Sequence, residues 1–386
     1  MVSKKKKKSK AVPVVIVLTI LLAALCVGCF YAGNILEREK ADRLAAAQAE
    51  VEARNAQADL AYAAAIADFQ AQNAGGANLA WPAQKTEGWD LLDLTNYPLE
   101  NQITEHHTRA DLMNNGMLLV NEWHSRPDDF SEDALVGLGS YFNWAVQVDS
   151  KSVQLFPVAA DALKAALDAA AAENLGDYIV KEGYRSWDTQ NSLFQARVER
   201  LSGSYSGDAL IEAAKKDVNY PGTSEFNTGL SFRLQLYNKD DSSVAKQAFS
   251  SSPQGQWMYE NSWKYGLIFR FPLPGWPSET TQTKHFITGV GHLTSEGWEP
   301  KLNCYRYVGV GNATIMHYMD FCLEEYVDYL MSHPHIALFE DGQLKYEVYR
   351  QVIGDDPSFD VILTGRARSH VSSLDNMGGV ITVFAY

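Results

Sequence analysis

Behind lysines 4–8 and 10 runs AVPVVIVLTILLAALCVGCFYA, Ala11 to Ala32, which is 22 residues without a charge. A run of this kind offers no polar face to water. At roughly 1.5 Å per residue it spans about 30 Å of hydrocarbon. The expectation is a short cytoplasmic basic tail over 1–10 and a transmembrane helix over 11–33, with the rest of the chain outside. A cleaved signal peptide is the rival, but its apolar core is usually shorter and no small-x-small cleavage site follows. A lipoprotein signal ending at Cys29 fits the preceding LCVG poorly.

The net charge of −14 conceals an uneven distribution. Beyond the six leading lysines, 27 basic residues oppose 47 acidic ones, so the body carries −20. Nucleic acid needs a basic footprint, and this body excludes it as a partner. Of the four cysteines, Cys26 and Cys29 lie in the apolar run, whereas Cys304 and Cys322 lie in the outer part. One outer pair is a weak signal for a disulfide.

Residues 34–78 contain a stretch rich in Ala, Glu, Gln and Arg, with no Gly or Pro from Leu36 to Asn73. This predicts a helical stalk. Leu44, Val51 and Leu60 form a thin apolar stripe, which leaves a weak coiled coil, a homodimer through the stalk and a solvated spacer all open. A globular domain is expected over 79–332. Helices are predicted over Ala159 to Asn174, Asp188 to Arg200, Gln254 to Tyr265 and Thr314 to Ser332. Strands are predicted at DYIVKEGYRS, TGLSFRLQLYN, YGLIFRFP and CYRYVGVG. Residues 333–386 read as a small β-rich extension, with runs at QLKYEVYRQV and GGVITVFAY. The elements mix rather than alternate, which favours an α+β fold.

Four separate stretches stand in this order: MLLVNEWHSRPDDF from Met117, EGYRSWDTQNSLF from Glu182, SEFNTGLSF from Ser224, and YGLIFRFP from Tyr265 leading to EPKLNCYRYVG from Glu299. Together they resemble the VanY-type D-alanyl-D-alanine carboxypeptidases, bacterial zinc peptidases that trim the peptidoglycan stem peptide. The resemblance covers about residues 115–332. It implies a compact α+β domain with a small antiparallel sheet flanked by helices, here carried on a transmembrane helix and stalk. It also implies a bacterial cell membrane as location. In GYRSWDTQ, a strand turning into a helix sets Arg185 beside a helix N-terminus, a natural carboxylate site. By resemblance, Arg185, Ser186, Gln190, Ser224 and Gly229 belong to the substrate-binding region.

The metal frame is where this chain departs from the family. A hydrolytic zinc needs three protein ligands and an open position. The resemblance implies His-x-x-Gly-x-x-x-Asp, but the chain reads Phe226-Asn-Thr-Gly229-Leu-Ser-Phe-Arg233. Phe cannot ligate zinc, and Arg stays protonated and repels it. The third ligand, a His just before YRYVG, is replaced by Cys304. Glu299 keeps the family's general base by sequence, with Glu296 as the other candidate. His285, His292 and Cys304 are the residues from which a different zinc site would be built. His106, His107, His333 and His335 read as solvated or loop histidines.

Arg233 is expected to fill the metal's place and to pair with Glu299 or Glu225, since a buried charge needs a partner. The resulting expectation is a pseudo-peptidase without a metal, which binds stem peptide or a wall-synthesis protein. The alternatives are an active carboxypeptidase with an atypical zinc site, and a cell-envelope scaffold that dimerises through the stalk.

Overall fold

The computed structural model describes residues 88–121, 123–249, 252–270, 303–354 and 356–386, the backbone of 292–294 and 297–299, and five helical positions between 22 and 38. The proposed membrane span and stalk otherwise lie outside the described residues. So do His285, Glu296 and the side chains of His292 and Glu299. Among the described residues no helix is long and apolar enough to cross a membrane.

The two larger sheets use β1 (Trp89–Asp93), β2 (Tyr178–Glu182), β3 (Ser231–Leu236), β4 (Leu267–Phe269), β5 (Cys304–Tyr307), β6 (His335–Glu340), β7 (Gln343–Val352), β8 (Ser369–Leu374) and β9 (Gly379–Ala385). The first sheet has order β2-β3-β5-β4 and the second β1-β6-β7-β9-β8, with antiparallel pairing throughout. The main helices are α1 (Pro157–Ala172), α2 (Trp187–Leu201), α3 (Gly207–Lys215), α4 (Pro253–Asn261), α5 (Val310–Met319) and α6 (Leu323–Ser332). The α+β reading therefore holds.

Alternation in β3 explains the first sheet. Phe232, Leu234 and Leu236 pack into a core with Leu155, Phe156 and Leu163. Their neighbours Ser231 and Arg233 take the opposite face, because successive strand residues point to opposite sides. In β5, Tyr305 joins the same core and stacks on Phe232, which leaves Cys304 and Arg306 on the face of Arg233. Helix α1 opens on Pro157 and buries Ala159, Leu163, Ala166 and Ala170 as one stripe.

Two expectations are corrected and one open question is answered. The predicted helix over Thr314 to Ser332 is two helices. Asp320 adopts a left-handed conformation (φ 52°), and Cys322 begins α6 with the Glu325 carboxylate accepting from its backbone N–H at 2.9 Å. Cys304 and Cys322 are both buried thiols and form no disulfide with each other. His335 is buried rather than solvated: its Nδ1 lies 2.6 Å from the Tyr97 carbonyl and its Nε2 2.8 Å from Glu347. A carbonyl only accepts, so Nδ1 is the donor to Tyr97.

Residues beyond 333 are β-rich and supply four of the five strands of the second sheet. Strand β1, from the beginning of the described domain, pairs with β6, and Leu91, Met117, Ile268 and Met316 share one core with Ile336, Val348 and Ile381.

A buried ionic network joins the two halves. Arg270 donates to Glu225 at 2.8 Å and grips Glu324 at 2.7 and 2.9 Å. Arg306 pairs with Glu225 and donates to the carbonyls of Gly116 and Leu118 at 2.7 and 2.8 Å. Burial alone would raise the Glu225 carboxyl, but Arg270 and Arg306 outweigh it and lower it from its ordinary 4.5 to about 2. A carboxyl depressed in the folded state contributes its stabilisation above the unfolded value and loses it as pH falls through the folded one.

Stability is therefore expected to decline as pH falls from about 4.5 toward about 2, and urea denaturation of Glu225→Gln should show this acid limb flattened. The same variant should lose about 3–5 kcal/mol at neutral pH, because two buried arginines are left short of a counter-charge. Gly229 sits at φ 67°, where an added Cβ would meet Phe156 Cε2 at 2.7 Å. Gly229→Ala should cost about 1–3 kcal/mol from strain and overpacking, read as a lower denaturation midpoint.

Candidate functional site

The site forms where the turn after β2 meets the turn before β3. Residues Glu225–Thr228 make one turn of 3-10 helix, capped by Ser224 and ended by Gly229 in the left-handed conformation. Two hydrogen bonds tie this turn to the other. Arg185 N–H donates to the Phe226 carbonyl at 2.9 Å, and Asn227 Nδ2 donates to the Arg185 carbonyl at 2.5 Å. Ser224 and Gly229 are both buried, and they build the turn rather than open onto solvent.

Phe226 is 1% exposed and packs against Cys304, which is fully buried. The Arg185 guanidinium lies 5.0 Å from the centre of the Phe226 ring, a favourable cation–π distance. Gln190, also fully buried, accepts from Arg185 Nη1 at 2.6 Å and donates to the Asn219 carbonyl at 2.6 Å. Gln190 thus positions Arg185 from behind. Ser186 is the N-cap of α2 and accepts from Thr189 N–H at 3.1 Å, so the helix N-terminus begins beside Arg185.

Arg233 does not pair with Glu225 as expected. That carboxylate is held by Arg270, Arg306 and Ser231. Arg233 Nε lies instead 3.4 Å from Oε2 of Glu182, whose Oε1 pairs with Arg185. The cause is a register shift in β2. Val180 faces Leu234, yet Glu182 faces Arg233, so a bulge at Lys181 brings a carboxylate where regular pairing would set a lysine. Across the other edge of β3, Arg233 faces Cys304.

Phe226, Arg233 and Cys304, the three positions where the resemblance implies metal ligands, are neighbours: Cys304 packs on Phe226 and faces Arg233. Their chemistry does not fit zinc. The three side chains supply a single thiol donor, and the guanidiniums of Arg185 and Arg233 bring two positive charges to the place. Among the described residues no group of three or more His, Cys, Asp or Glu side chains is arranged to hold a metal. Burial, then the charge of Arg233, lowers the Arg185 guanidinium to about 10. Glu299 lies on a short strand, Gly297–Glu299, paired with His292–Thr294.

Motif reading located Arg185, Gln190, Phe226 and Arg233 but passed over Glu182, the carboxylate between the arginines. It stands directly before GYRS, and only the bulge aims it at Arg233. The sequence had no local signal for the pairing of Glu225 with Arg270 and Arg306, which are 45 and 81 residues away.

Comparison with known proteins accords with this geometry. The family model for VanY, D-alanyl-D-alanine carboxypeptidase, matches residues 152–285. The chain is 26% identical over 288 residues to a D-alanyl-D-alanine carboxypeptidase of Enterococcus faecium, covering 74% of this chain and 80% of the relative. It is 30% identical over 234 residues to a D-alanyl-D-alanine carboxypeptidase of Enterococcus faecalis, covering 60% of this chain and 72% of the relative. Among solved structures, the vancomycin-resistance D,D-dipeptidase VanXYg, bound to a D-Ala-D-Ala phosphinate analogue, superposes with a TM-score of 0.52 at 20% identity. That match covers 74% of this chain and 99% of the other, and it concerns the fold alone. On fold, motifs and relatives together, the chain belongs to the VanY family of D-alanyl-D-alanine carboxypeptidases.

Proposed function

We propose that this chain is a membrane-anchored, extracytoplasmic pseudo-peptidase that binds peptidoglycan stem peptides without cutting them. One observation carries the reading: the place where the family resemblance implies a zinc ion is bordered by two guanidiniums sharing the Glu182 carboxylate. Family membership supports the ligand class, since the relatives are named for D-alanyl-D-alanine peptides. Arg185, locked by Gln190 and set beside the N-terminus of α2, is suited to a terminal carboxylate. The uncharged run at 11–33 supports the anchor, and the lysines before it support a cytoplasmic N-terminus.

Zinc content and D-Ala release test this together. The purified full-length chain should hold less than about a tenth of an equivalent of zinc, against the one ion that a hydrolytic site requires. It should release no D-Ala from diacetyl-L-Lys-D-Ala-D-Ala. Stoichiometric zinc with chelator-sensitive release would establish an active enzyme, with His285, His292 and Cys304 as the ligands to mutate.

The neighbouring positions yield a second expectation. The double variant Phe226→His with Arg233→Asp places imidazole and carboxylate beside the Cys304 thiol. It should bind about one equivalent of zinc by metal analysis. If this folded variant takes up no zinc, the metal frame has been lost beyond those two side chains.

A further inference from the structure

We propose that Arg185 and Arg233 together form a receptor for the free terminal carboxylate of a peptide, and that Glu182 occupies this receptor as an internal competitor. The proposal rests on the reading that this site binds a peptide terminus without cutting it. It adds the receiving residue, Arg233, and the group that the ligand must displace.

The geometry of Glu182 is the first argument. Its two oxygens are divided between the guanidiniums, Oε1 toward Arg185 Nη2 and Oε2 at 3.4 Å from Arg233 Nε. A carboxylate already lies where a ligand's carboxylate would lie. Glu182 is also the last residue of β2, just past the bulge, and its side chain is 22% exposed.

Charge is the second argument. Among the described residues two guanidiniums share one carboxylate, so the cluster that they form keeps a surplus positive charge. Arg233 Nε is buried and makes no hydrogen bond, and 3.4 Å is a loose ion pair. A buried donor left unsatisfied costs free energy that an incoming oxyanion recovers. A neutral amide carbonyl recovers less, because hydrogen bonds between charged partners are about twice as strong as neutral ones.

The floor is the third argument. Phe226 and Cys304 are packed closed beneath the arginines. A ligand chain that reaches the pair ends there, which selects a terminal group over an internal one. Family membership favours a D-alanine terminus over an ordinary protein C-terminus.

The test is calorimetric titration of the full-length chain with diacetyl-L-Lys-D-Ala, its C-terminal amide, the L-Ala acid and diacetyl-L-Lys-D-Ala-D-Ala. The D-Ala acid should bind, and the amide should bind about tenfold more weakly or worse, the value of one charge-assisted hydrogen bond. Arg233→Gln should weaken the acid by a similar factor. Glu182→Gln should tighten it several-fold, because the competitor's charge is gone. A merely structural ion pair would not produce that gain.

Arg233 is 31% exposed, so its replacement is compatible with folding. Arg233→Lys, which keeps the charge and loses the planar fork, should fall between wild type and Arg233→Gln. Acid binding that survives Arg233→Gln unchanged, or that Glu182→Gln weakens, overturns this inference and leaves the stem-peptide reading standing. Equal binding of acid and amide does the same. Equal binding of the L-Ala acid keeps the receptor and overturns the wall peptide as its ligand. Failure of all four peptides to bind overturns both readings.

Discussion

Four buried charges hold the domain together at its centre. Arg270 and Arg306 are 1% and 0% exposed, and Glu225 and Glu324 are 3% and 8% exposed. Removing such groups from water is expensive, so they persist only with near-complete hydrogen bonding. The network supplies it: Ser231 and Asn121 donate to the carboxylates, and Arg306 also reaches the carbonyls of Gly116 and Leu118. It thereby fixes β3, β4, β5, α6 and the 116–121 segment relative to one another. Hydrophobic contacts alone would tolerate small slips between these elements, whereas directional ion pairs do not.

The site depends on that network through Glu225. Because Arg270 and Arg306 hold Glu225, it is not free for Arg233, whose partner must come from elsewhere. The bulge at Lys181 supplies Glu182. Phe226, the next residue along from Glu225, is pinned as a hydrophobic floor and carries Arg185 above its ring. An apolar floor, a buried glutamine brace and two guanidiniums form a small cationic spot in an otherwise acidic protein. Clefts of one charge sign with low-dielectric walls concentrate ions of the other sign.

Much of the first sheet was legible beforehand. The alternation of SFRLQL, the alanine stripe of α1 and the strand-to-helix turn of GYRSWDTQ are local signals that tertiary packing did not override. The break between α5 and α6 was not legible, since Met316, Met319, Leu323 and Tyr326 keep a helical spacing across it. Only the left-handed Asp320 and the reciprocal cap of Cys322 and Glu325 end one helix and begin another. His335 was misread for a related reason. The residue sits in a histidine-proline-histidine loop signature, but its partners, Tyr97 and Glu347, come from distant strands.

The sequence by itself determined the family and the α+β class, and it placed Phe226 and Arg233 in the frame where the resemblance implies zinc ligands, because these lie in residue identity and short-range spacing. It also located Arg185 beside a helix start, since strand-to-helix turns are local. Tertiary structure decided which carboxylate each arginine meets. Charge pairing across a sheet depends on register, and a single extra residue in β2 exchanged Lys181 for Glu182 opposite Arg233. The buried network likewise draws its members from positions 225, 270, 306 and 324, and no periodicity along the chain connects them.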